Sequence, residues 1–184
     1  MTVLSPLKSR LKARDAFDVR IVQWSFLRRL MTPRQRRLYE YWLAGSGADG
    51  TFALASFDPI AVWDSVGYLH ILQYHGTRED FFYRLSGDIS TKAECASFHR
   101  RWVKDHPGAA GAKLRAHYLD VMASGRPWLG EVYADDRRQI APYWNRMVLP
   151  MVDPRTPGRF TCLTLAEPQD TLPVPTRACG RTEG

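Results

Sequence analysis

Five short runs of alternating or aromatic residues, two before a helical stretch and three after it, constrain this chain more than any other feature. Gly67–Tyr74 (GYLHILQY) and Asp80–Ser86 (DFFYRLS) are joined by His75-Gly76-Thr77-Arg78-Glu79, a linker that suits a hairpin. Residues 91–107 read as irregular helix ending at His106-Pro107-Gly108. Lys113–Ser124 reads as a regular helix, with Leu114, Tyr118 and Val121 on one face and Gly125 placed to cap its end. Trp128–Ala134, Gln139–Met151 and Arg159–Ala166 then read as strands, and Pro142 and Pro150 confine the regular part of the middle one to about Tyr143–Leu149. Short strands in the order β-β-helices-β-β-β predict an α+β fold, one five-stranded antiparallel sheet with helices on one face.

Ahead of the sheet the period is helical. Ser5-Pro6 is a helix start, and Phe17, Ile21, Trp24, Leu27 and Met31 recur at spacings of three and four, with Arg20, Arg28 and Arg29 off that stripe. Thr32-Pro33-Arg34-Gln35 is a capping box with proline in the first turn, and Leu38, Tyr41 and Trp42 give a buried face to a helix ending near Gly45. The chain therefore divides into a basic amphipathic helical extension (1–32), the α+β domain (33–166) and a flexible proline-containing tail (167–184).

Charge is located, not diffuse. Residues 1–40 hold ten Lys/Arg against Asp15, Asp18 and Glu40, which accounts for the whole net charge of +7, and the remainder is balanced. Attraction to nucleic acid, anionic lipid or an acidic partner would come from that segment. No run approaches the roughly 18 apolar residues of a membrane span, and lysines and arginines interrupt any signal-like stretch near the N-terminus. Cys95, Cys162 and Cys179 are odd in number and widely spaced, which fits a reducing cytoplasm.

Several strings resemble the PAS superfamily, and most closely the bacterial variant found in short single-domain proteins. They are Tyr41-Trp42; Phe57-Asp58-Pro59; Asp80-Phe81 with Tyr83-Arg84-Leu85 and Gly87; Tyr118 and Val121 before Gly125-Arg126-Pro127; and Trp144-Asn145-Arg146 leading to Leu149-Pro150. The similarity spans Pro33 to Ala166. It implies a cytoplasmic, non-enzymatic sensory or adaptor protein that takes a small ligand or a partner protein and signals by contact. The Gly-rich string common in that family after the second strand is replaced here by Ile89–Ala96, so no particular ligand or cofactor is carried over.

Candidate sites follow from the residues. Alternation places Phe81, Tyr83 and Leu85 on one face, opposite Phe82 and Arg84, and groups Trp144, Arg146 and Val148. Trp102 and Tyr118 belong to the helices that cover the sheet, so Tyr83, Trp102, Tyr118, Trp144 and Arg146 form the candidate ligand pocket, against the plainer reading that they fill the core. An inward Arg146 requires a carboxylate or phosphate partner, from the protein or from a ligand. Phe17, Ile21, Trp24 and Leu27 form a candidate dimer or partner helix, so a homodimer and a signalling protein are the expected partners. The alternative is peripheral binding to nucleic acid or anionic membrane through the same helix.

Other motifs are weaker. Gly45–Gly50 matches G-x-G-x-x-G but follows a helix where dinucleotide binding needs a strand before it. His70, His75, His99, His106 and His117 show no metal-ligand spacing, although a lone His99 could serve as a haem ligand. Glu79-Asp80 reads as a solvated hairpin end and Asp135-Asp136 as a solvated loop between strands, and Cys95 and Cys162 lack an activating neighbour, so neither a catalytic nor a metal residue is assigned.

Overall fold

The computed structural model describes residues 18–23, 31–48, 50–94, 98–136, 139–153 and 160–168. Its elements are β1 (Asp18–Gln23), α1 (Pro33–Gly45), β2 (Leu69–His75), β3 (Asp80–Ser86), α2 (Asp88–Glu94), α3 (Ala110–Ser124), β4 (Trp128–Asp136), β5 (Gln139–Val152) and β6 (Phe160–Pro168). The six strands form one antiparallel sheet in the order β1-β4-β5-β6-β2-β3. Among the described residues, no helix is long and apolar enough to cross a membrane.

The sixth strand corrects the helical reading of the N-terminal segment. Asp18–Gln23 pairs along β4 from Asp18↔Asp135 to Gln23↔Gly130, and Ile21 lies in that strand. Phe17, Trp24 and Leu27, the rest of the expected helix face, lie outside the described residues. Val19 and Ile21 are two residues apart and β-branched, which suits an edge strand once β4 offers a partner.

Helices on one face is the second correction, because both faces are covered. Beneath α3, Leu72, Phe81, Tyr83, Val132, Trp144, Val148, Cys162 and Ala166 pack with Leu114, Tyr118 and Val121. On the opposite face, Leu69, Leu129, Met147, Leu149, Leu163 and Leu165 pack with Leu38 and Trp42 of α1 and with Phe52 and Val62. Thr32 caps α1 through the expected reciprocal box with Gln35, and Trp42 Nε1 donates to the Pro150 carbonyl at 2.9 Å. The two prolines sit within β5 rather than at its limits. Trp128↔Val148 ends the β4 ladder before Pro150, and Trp144↔Pro168 ends the β6 ladder before Pro142, so each proline has a neighbouring strand on one side only.

β6 runs two residues past the expected start of the tail. Glu167 is buried and accepts hydrogen bonds from Thr32 Oγ1 and Arg34 Nη1, fastening the first turn of α1 to the sheet. Because Arg34 is partly exposed, solvent screens the pair, and Glu167→Ala is expected to lower stability by about 1–3 kcal/mol in urea unfolding. Unchanged stability would show that α1 docks through its apolar face alone.

Candidate functional site

The α3-facing side of the sheet holds a polar cluster inside its apolar core. Arg146, in the middle of β5, is only 4 % exposed; its register neighbours are Gly130 and Ala166, two residues too small to crowd a guanidinium. Its Nη1 donates to the hydroxyl of Tyr118, fully buried on α3, at 3.1 Å. A Cβ on Gly130 would come 2.6 Å from the Trp128 ring, so that glycine leaves room for the tryptophan beside it. Trp128 in turn meets the His117 ring edge-on at 4.3 Å.

Three histidines complete the cluster. His70 on β2 shares a hydrogen bond with Ser86 Oγ at 3.1 Å and meets the Tyr83 ring edge-on. His106 shares one with the Tyr83 hydroxyl at 3.0 Å and stacks on Phe98 at 4.1 Å. His117, on α3 next to Tyr118, has a buried Nε2 with no hydrogen-bond partner among the described residues, and so has the Thr164 hydroxyl on β6. Burial first, and the nearby charge of Arg146 second, lower the pKa of His70 from 6.5 to about 3, of His117 to about 3 and of His106 to about 4. All three are neutral at pH 7, so each ring offers one donor and one acceptor around a fixed cation.

Of the five residues expected to line a pocket, Tyr83, Tyr118, Trp144 and Arg146 belong to this face of the sheet. Trp102 does not. It lies in a strap along the outer edge of β3, where it bridges Phe82 and its ring packs on Phe82 and His75 on the other face. Leu85 also parts from Phe81 and Tyr83: a register shift sets Tyr83 opposite Leu72 but Leu85 opposite Ile71, so Leu85 turns to the other face. The histidines carry no shared sequence signal because they are far apart in the chain and converge only when β2, the strap and α3 meet.

No family model matches the chain, and no curated protein or solved structure matches it.

Among the described residues no group of His, Cys, Asp and Glu could hold a metal ion, and His99 is exposed outside the cluster. Burial pushes the Cys162 thiol upward, away from the thiolate that nucleophilic attack requires. Asp80, read as a solvated hairpin end, is instead buried, and its carboxylate accepts from the backbone N–H groups of Phe81 and Lys104. The strap carrying Lys104 is thereby pinned to the start of β3. Glu79 beside it is exposed, and the side chains of Asp135 and Asp136 lie outside the described residues.

Proposed function

We propose that this chain is a PAS-like, non-enzymatic sensory or adaptor protein of the cytoplasm, which takes a small ligand against the α3-facing side of its sheet and signals by contact. The observation that carries the reading is the buried Arg146–Tyr118 pair, ringed by three neutral histidines in an otherwise apolar core. Apolar walls with a few convergent polar groups are the pattern of small-ligand sites. The buried hydroxyl of Thr164 and Nε2 of His117 supply further polar atoms on the same side. The sequence order of β2, β3, the helices, β4, β5 and β6 supports the PAS-like reading, with β1 as an addition at one edge.

The reading includes a homodimer that a separate signalling protein recognises. Native mass spectrometry of freshly purified protein, with a visible absorption spectrum of the same sample, tests it. A bound mass or chromophore on a dimer is the expected result. A ligand-free monomer with a featureless visible spectrum would contradict it.

The location of the charge favours a second reading. With the whole net charge of +7 within residues 1–40, the chain could bind nucleic acid or anionic membrane peripherally, with the sheet as scaffold. That binding would weaken steeply with added salt and on deletion of residues 1–17, which removes Lys8, Arg10, Lys12 and Arg14 and leaves β1 in place, whereas a core-bound ligand would survive both.

A further inference from the structure

The face of the sheet opposite the Arg146 cluster holds an open groove whose lining includes no residue of α1. The β2–β3 hairpin and the strap beside it enclose this groove, of about 520 Å³ and lined by Gln73, His75, Phe82, Arg84, His99 and Arg100. That volume is in the range of small-molecule sites, roughly 300–1,000 Å³. Two guanidiniums and two imidazoles surround one aromatic ring, and the lining contains no carboxylate. Arg84 is exposed, yet its Nη1 donates to Gln73 Oε1 at 2.9 Å, which fixes the fork and leaves its other N–H groups to the groove. The Phe82 ring is propped by Trp102 at 5.0 Å, and the Arg78 guanidinium covers Trp102 at 4.7 Å.

Arg100 adds a second kind of observation. Its φ is +61°, a left-handed conformation that favours glycine, and it is held there because Arg100 N donates to the Tyr83 carbonyl while Tyr83 N donates to that of Arg101, both at 2.9 Å. The strap thus closes the edge of β3 and sets a strained arginine at the groove. An arginine fork matches a phosphate in geometry and charge, and an aromatic ring beside it takes a planar group by stacking.

We propose that this groove binds a phosphate-bearing ligand with a planar ring, of mononucleotide size. The site is independent of the cluster under α3, and failure at one leaves the other standing. Calorimetric titration of the full chain with AMP, ribose 5-phosphate and adenosine tests it. AMP is expected to saturate one site per chain, with ribose 5-phosphate and adenosine each weaker by about tenfold or more, since each lacks one half of the recognition. Arg84→Gln and Arg100→Gly are expected to lower AMP affinity by about tenfold or more. Arg100→Gly relieves the left-handed backbone, so its melting temperature should be equal or higher, which separates lost binding from lost fold. No AMP binding, ribose 5-phosphate binding as tightly as AMP, or affinity untouched in both variants would overturn the proposal. Tighter binding of a dT20 oligonucleotide than of AMP, weakened by both groove variants, would also overturn it, in favour of single-stranded nucleic acid at the same groove.

Discussion

Acidification from pH 7 to pH 5 is expected to remove up to about 6 kcal/mol of folding stability, a figure that follows from the buried His70 and His117 and the partly buried His106. Each imidazole binds its proton near pH 6.5 in the unfolded chain but only near pH 3–4 in the fold. Between those values the unfolded state holds more protons, so stability is fully present above pH 6.5 and falls as the pH falls. At 1.36 kcal/mol per pH unit, each group loses about 2 kcal/mol by pH 5. The loss continues until the folded pKa values are reached. A domain of ordinary stability, about 5–15 kcal/mol, would then approach unfolding at a pH where unburied histidines cause no such loss. Urea midpoints measured at half-unit steps from pH 7.5 to 4.5 check this. A flat profile to pH 5 would mean that the rings are hydrated or that the Arg146 charge is not beside them.

Replacement of one glycine is expected to damage the fold nearly as much. Gly87 joins β3 to α2: its N–H donates to the Leu69 carbonyl at 2.7 Å and its carbonyl accepts from Thr91 at 3.0 Å. A Cβ there would stand 2.3 Å from the Gly67 carbonyl oxygen, 2.5 Å from its carbon and 2.9 Å from the Tyr68 nitrogen. All three are backbone atoms at the entry to β2, so no rotamer change relieves the clash. Gly87→Ala is expected to cost about 3 kcal/mol or more and to loosen β2 from β3. Gly76→Ala, at the hairpin tip where nothing lies within 4 Å, is the matched control and should stay within about 0.5 kcal/mol of the parent. Equal effects at the two positions would contradict the close approach of the two segments.

Local signals were the legible ones. The capping box at Thr32, the hairpin at residues 75–79 and the left-handed Gly125 after α3 each state their own geometry within a few residues. Tyr41 and Asp58-Pro59 are separate strings in the sequence, and the fold joins them: the Tyr41 hydroxyl donates to the Ser56 carbonyl at 3.0 Å and accepts from Asp58 N at 2.7 Å. The shared face of Trp144, Arg146 and Val148 was also readable, because alternation holds through the middle of β5.

What stayed hidden depends on distant partners. In β1, Val19 and Ile21 alternate for too few residues to outweigh a helical stripe that borrows Ile21, and only the free edge of β4 decides between them. The second covered face had a signal in retrospect. Leu69, Leu129, Met147, Leu149, Leu163 and Leu165 are apolar at the positions alternation assigns to solvent, which is the mark of a sheet buried on both sides. The displacement of Leu85 needed a bulge that composition does not announce. Trp102 was placed with Tyr118 because both precede β4 in a helical reading, whereas the left-handed turn at Arg100 diverts the strap to the edge of β3. His70, His106 and His117 carried no spacing signal, since the sheet itself is what brings them to one cation.

The central claim is that the Arg146 cluster holds a ligand rather than packing as inert core. Nitrogen-resolved NMR of the histidine rings tests it most directly, comparing protein as purified with the same protein unfolded, dialysed and refolded. The account predicts that the signals of His70, His106 and His117 differ between the two samples. Superimposable signals for all three rings would contradict it.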